Sequence, residues 1–149
     1  MINNKNLKTL STIGFAFAFF GLVALYLHGN LFSPSPIVIT FQALSAFLMV
    51  WARITFGSRS FHMTANPTSG SLVTNGPYRF MRNPIYTAAL VFSWAGIIAH
   101  FSVETVLLGI LIFVGTMIRI LCEEYMLRET YPEYKEYANK TRRLLPFIY

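Results

Sequence analysis

The stretch Leu27-His28-Gly29-Asn30-Leu31-Phe32-Ser33-Pro34-Ser35-Pro36-Ile37 interrupts an apolar run that holds no Lys, Arg, Asp or Glu from Thr9 to Ala52. Two prolines and a glycine in so short a segment do not fit inside one helix, because proline lacks a backbone donor and clashes with the preceding turn. The run therefore divides into two helices, near 7–27 and 37–56. Each is close to the roughly 20 residues that cross a bilayer. A second run, Asn83 to Ile118, has Glu104 as its one charge. It divides at His100-Phe101-Ser102 into helices near 85–99 and 103–122. Ser102 is placed to cap the latter, with Glu104 in its first turn, where the positive end of the helix dipole favours an acid.

Composition points the same way. Of 149 residues, 54% are hydrophobic, 16% aromatic and only 12% charged, against about 25% charged in a typical soluble domain. That excludes a disordered chain and an ordinary DNA-binding domain. The single cysteine, Cys122, excludes an intrachain disulfide scaffold. Four helices return both termini to one side. Lys5, Lys8, Arg53, Arg59, Arg79, Arg82, Arg119, Arg128, Lys135, Lys140, Arg142 and Arg143 then all fall on that side. The positive-inside rule makes it the cytoplasm. Three spans would break this segregation. A cleaved signal peptide over residues 1–29 fits poorly, since the apolar stretch is long and no clear small-residue cleavage site follows. The expected fold is all-α: one polytopic membrane domain over 1–149, with four transmembrane helices, a cytoplasmic loop (Gly57–Pro84) and C-terminal helices. The net charge of +6 reads as membrane asymmetry, not as a nucleic-acid footprint.

Several kinds of site are dismissed on residue type and spacing. His28, His62 and His100 scatter over both faces, with no ligand-like spacing for a metal. Cys122 reads as a packed thiol. Ser69-Gly70-Ser71 lacks the Gly-Lys-Ser/Thr ending of a phosphate loop. Thr130-Tyr131-Pro132-Glu133 reads as a helix restart with a Thr cap. Tyr131, Tyr134 and Tyr137 then form one stripe, best explained by packing or an interfacial belt.

Two clusters on the basic side remain. Leu72-Val73-Thr74-Asn75-Gly76-Pro77-Tyr78-Arg79-Phe80-Met81-Arg82-Asn83-Pro84-Ile85-Tyr86 places turn formers, arginines and tyrosines immediately before a membrane helix. Arg119 and Glu123 lie four apart, on one helix face at the membrane boundary. Each cluster has a plain reading: snorkelling anchors for the first, an intrahelical ion pair for the second. The second also suits a zwitterion, with a carboxylate receiving an ammonium and a guanidinium receiving an anion.

These segments resemble the isoprenylcysteine carboxyl methyltransferase and phospholipid methyltransferase superfamily of integral membrane enzymes. The resemblance covers Leu72 to Tyr149. It rests on the order of Leu-Val-Thr-Asn-Gly-Pro-Tyr, Arg-Asn-Pro-Ile-Tyr, Glu-Glu-Tyr-Met-Leu, the Tyr-rich helix and Leu-Leu-Pro-Phe-Ile. It implies S-adenosylmethionine as methyl donor, held by segments 70–86 and 119–149. The residues it implies for the donor pocket are Gly70, Ser71, Leu72, Val73, Tyr78, Arg82, Asn83, Pro84, Ile85, Tyr86 and Glu123. It implies that Arg119 orients the acceptor, and the residues themselves offer no metal site.

Chemically, Glu123 suits the donor's ammonium, Arg82 or Arg79 its carboxylate, and Tyr78 or Tyr86 its adenine or sulfonium. The family's Arg-His-Pro motif has Asn83 in place of His. An amide hydrogen-bonds but does not titrate, which argues against proton transfer there and against amine acceptors that must lose a proton. The expected activity is methyl transfer to an amphiphilic, lipid-like acceptor, with a prenylated-cysteine carboxylate favoured by Arg119. Phospholipid N-methylation and small-thiol S-methylation are the alternatives within that class. A sterol-reductase-like oxidoreductase and a non-enzymatic membrane protein are the alternatives outside it. No nucleic acid and no obligate protein partner is inferred.

Overall fold

The computed structural model describes residues 4–57 and 72–145. Five α-helices account for most of them: α1 (Asn4–Leu27), α2 (Pro36–Phe56), α3 (Pro84–Ala99), α4 (Val103–Thr130) and α5 (Tyr134–Lys140), with a 3₁₀ turn at Gly76–Arg79. Among the described residues there is no strand, only an isolated parallel bridge between Met81 and Arg142. The expected helices are therefore present. Residues 58–71 of the expected loop, including Gly70 and Ser71, lie outside the described residues.

Helix ends follow local chemistry. Prolines open α2 and α3 at their first turns, where the missing N–H costs nothing. Gly57, at φ 70°, closes α2 with its N–H on the Arg53 and Ile54 carbonyls. Ser102 caps α4 as its sequence suggests: its Oγ accepts from the Thr105 N–H at 3.1 Å, and Thr105 Oγ1 accepts from the Ser102 N–H at 3.0 Å. The Thr130 cap is corrected. Thr130 ends α4, with its hydroxyl on the Met126 carbonyl and the Tyr131 N–H on the Leu127 carbonyl. Pro132 follows, and α5 starts at Tyr134 behind Glu133. The last turn of α4 had a satisfied ladder, so the threonine was not needed as a new start.

The helices lie side by side in the order α2–α3–α4–α1. α1 runs antiparallel to α4, burying Leu7, Ser11, Gly14, Gly21 and Leu25 along one stripe. A Cβ at Gly14 would lie 2.6 Å from the Gly115 carbonyl oxygen, and one at Gly115 would lie 2.5 Å from that of Gly14. The two backbones touch there, the close approach that small residues give membrane helices. The turn after α1 tucks over the end of α3. The Gln42 side chain donates to the Leu31 carbonyl at 2.8 Å, and the His100 ring meets the Phe32 carbonyl at 2.7 Å.

Polarity is inverted relative to a soluble domain. Phe19, Phe20, Ile37, Phe47, Ile54 and Leu107 are exposed, while Gln42, Arg119 and Glu124 are buried. This is an integral membrane protein. Three helices, α1, α2 and α4, are long and apolar enough to cross a membrane; α3 is apolar but has 16 residues. At 1.5 Å per residue that is about 24 Å, short of a hydrocarbon core of about 30 Å. The expected four spans are thus three long helices and a shorter one.

Candidate functional site

Two neighbouring clusters form where α3 begins and α4 leaves the apolar zone. The first is built on one face of α4. Arg119 and Glu123 pair across one turn, Nε to Oε1 at 3.1 Å. Tyr86, in the first turn of α3, sits between them. Its hydroxyl donates to Glu123 Oε1 at 2.6 Å and accepts from Arg119 Nε. The guanidinium also lies 5.2 Å from the ring centre of Phe15 on α1 and 5.9 Å from that of Tyr86. Arg119 is 7% exposed, so its charge depends on this carboxylate and these π faces.

The second cluster surrounds Glu124, whose side chain is 3% exposed. Adjacent residues on a helix diverge by about 100°, so Glu124 faces different partners from Glu123. Oε1 accepts from Arg82 Nε at 3.1 Å and from Asn83 Nδ2 at 3.0 Å; Oε2 accepts from Arg143 Nε at 3.2 Å. Arg82 Nη1 also donates to the carbonyls of Ala138 and Thr141, Asn83 Nδ2 to that of Arg143, and Thr87 Oγ1 to that of Leu144. The chain after α5 is thereby bound alongside residues 80–87.

Tyr78 anchors the turn that precedes α3. It is buried in the 3₁₀ turn, its ring 5.5 Å from that of Phe56 on α2, and its carbonyl accepts from the Tyr137 hydroxyl at 2.7 Å. Burial first, then the nearby Tyr137 and Glu123, push its phenol well above the ordinary tyrosine value. Leu72 and Val73 are half-buried at the start of this segment, Pro84 is buried, and Ile85 is half-buried. Of the residues singled out in the sequence, Tyr86, Arg119 and Glu123 meet directly, while Arg82 and Asn83 meet at Glu124. Gly70 and Ser71 lie outside the described residues. Phe15 was not anticipated: it belongs to no motif, and only the packing of α1 on α4 brings it to Arg119.

A family model described as phospholipid methyltransferase matches residues 35–134. That range covers more than half the chain, including α2, α3, all of α4 and the Tyr86, Arg119, Glu123 and Glu124 side chains. The chain belongs to the phospholipid methyltransferase family. No curated protein and no solved structure matches it. Of the side chains in the first cluster, Tyr86, Arg119 and Glu123 fall within the matched region and Phe15 outside it. The tail contacts from Ala138 to Leu144 likewise lie beyond it.

Proposed function

We propose that this protein transfers a methyl group from S-adenosylmethionine to a lipid-like acceptor at the membrane. The observation that supports this most is the Glu123–Tyr86–Arg119 group, set at the end of the apolar zone within the region matched by the family. The donor set fits S-adenosylmethionine. Glu123 offers a carboxylate to an ammonium, Tyr78 and Tyr86 offer π faces to a cation or an adenine, and Leu72, Val73, Pro84 and Ile85 offer apolar walls. When bound, S-adenosylmethionine supplies an electrophilic methyl on a sulfonium.

The chain's own task is alignment and exclusion of water, the main sources of rate in an in-line displacement. Tyr86 holds the Glu123 carboxylate by donating to Oε1, which fixes the group that receives the ammonium. Arg119, held between Phe15 and Tyr86, orients an anionic part of the acceptor. Arg82 and Asn83 support the proposed pocket from behind, donating to Glu124 and to the tail carbonyls. The family match favours a phospholipid headgroup, whose phosphate faces Arg119. The buried guanidinium favours a second reading, a prenylated-cysteine carboxylate, since an anionic nucleophile needs no base and Asn83 supplies none. The basic face is assigned to the cytoplasm and α3 is taken as the fourth crossing.

Calorimetry of S-adenosylhomocysteine on detergent-purified protein tests the donor site. Saturable one-site binding is expected for the wild type and none for folded Glu123→Ala. No binding to folded wild type at millimolar ligand overturns the reading. Reconstitution with labelled donor in vesicles holding phosphatidylethanolamine or a prenylcysteine then separates the acceptors.

A further inference from the structure

Asn83 is buried, and its amide nitrogen has two hydrogens and two protein acceptors: the Glu124 carboxylate at 3.0 Å and the Arg143 carbonyl at 3.0 Å. The Asn83 backbone carbonyl accepts from the Thr87 N–H at 3.0 Å and from the Thr87 hydroxyl, which also donates to the Leu144 carbonyl. One neutral side chain thus joins α4, the start of α3 and the tail. Three residues on, Tyr86 makes the parallel link to Glu123. The pairs 83–124 and 86–123 set the same register of α3 against α4, so disturbing the first displaces the second.

We propose that Asn83 is a positioning residue. By donating to Glu124 and to the tail carbonyl together, it seats residues 141–144 and holds Tyr86 on Glu123, and so maintains the donor pocket. This rests on the methyl-donor reading above. The position demands two donors and no negative charge. Its surroundings already contain Glu124 and Arg128 from α4, Arg82 from the preceding turn, Arg143 from the tail and the Tyr134 phenol from α5. An isosteric carboxylate there would face Glu124, and like charges at that range disfavour ionisation. When protonated, the same carboxyl donates one hydrogen bond to Glu124 and restores part of the link.

The test is Asn83→Asp in the full-length protein, read at pH 8 and pH 5.5 against wild type at the same pH. S-adenosylhomocysteine affinity is measured by calorimetry, and hydrogen exchange is followed in peptides covering 138–145. Wild type is expected to hold its affinity and tail protection at both values. Asn83→Asp is expected to bind about tenfold more weakly at pH 8, the loss of roughly one buried hydrogen bond, with faster tail exchange. Both defects recover towards wild type at pH 5.5. Thr87→Val, which removes the Leu144 contact without adding a charge, loosens the tail equally at both pH values and serves if Asn83→Asp does not fold. Tail exchange unchanged in Asn83→Asp, or a loosened tail with unchanged affinity, overturns the proposal. Absence of ligand binding in wild type overturns the donor reading instead, and the exchange arm still decides whether Asn83 seats the tail.

Discussion

Glu123 and Glu124 are adjacent acids with separate roles in the architecture. The helix turn sends Glu123 to Tyr86 and Arg119, and Glu124 to Arg82, Asn83 and Arg143. The spacing of Arg119 and Glu123 made their pairing legible in the sequence. The partners of Glu124 were not, because Asn83 and Arg143 approach it from 41 and 19 residues away. Gly14 shows the same limit. In sequence it is a glycine inside an apolar helix, while in the fold its missing side chain lets α1 touch the Gly115 carbonyl. Gly14→Ala forces backbone against backbone, where no flexible side chain can yield. A loss of about 1–3 kcal/mol, the usual cost of overpacking, is expected as a lowered thermal midpoint in detergent, and an unchanged midpoint would contradict this close approach.

Helix boundaries were the most legible elements, because proline, glycine and serine act through local backbone chemistry. The Ser102–Thr105 capping box makes a direct prediction: Ser102→Ala lowers stability by about 1 kcal/mol, read as a shift in thermal unfolding. Around α5 the sequence showed a tyrosine stripe without its consequence. Tyr134 packs against Tyr137 at 5.9 Å, and Tyr137 reaches the Tyr78 carbonyl. Burial is the leading cause that raises the phenols of Tyr78, Tyr134 and Tyr137 above the ordinary value of 10.0. A folded value above the unfolded one means that the folded state holds more protons above pH 10.0. The stabilisation is therefore complete below that pH and is lost as pH rises towards the folded values. Thermal midpoints should fall above about pH 10 as tyrosinate absorbance rises. The Tyr134 hydroxyl is buried with no hydrogen-bond partner among the described residues. Tyr134→Phe should keep the midpoint at pH 8 and lose less of it in alkali; a large loss at pH 8 would show a partner for that hydroxyl.

Across the bundle, charge and polarity are sorted by depth. The basic residues of the described chain sit at one end, and the other end carries the His28–Glu104 pair, Nδ1 to Oε1 at 2.6 Å. α3 packs along α4 from Trp94 and Ile97 beside Gly109 to Tyr86 beside Glu123, with 16 residues against the 28 of α4. The proposed fourth crossing puts the turns at 28–35 and 100–102 on the same side of the membrane. In a Cys122→Ser background, Ser33→Cys and Phe101→Cys should both react with an impermeant maleimide from outside sealed cells, and Asn139→Cys only after permeabilisation. Ser33→Cys and Phe101→Cys on opposite sides would remove α3 from the count of crossings, and Asn139→Cys labelled from outside with both others protected would invert the assigned orientation.

The apolar runs, their proline and glycine breaks and the one-sided basic residues sufficed for an all-helical membrane protein with these helix positions, since burial in lipid and helix termination depend on residues near in sequence. The paired motifs around Tyr86 and Glu123 sufficed for the family resemblance. Only the tertiary structure decided that α1 lies on α4, that Phe15 reaches Arg119, and that the tail is bound through Arg82, Asn83 and Thr87. Those contacts depend on the packing of whole helix faces and on carbonyls offered by distant backbone, which no local pattern of residues encodes.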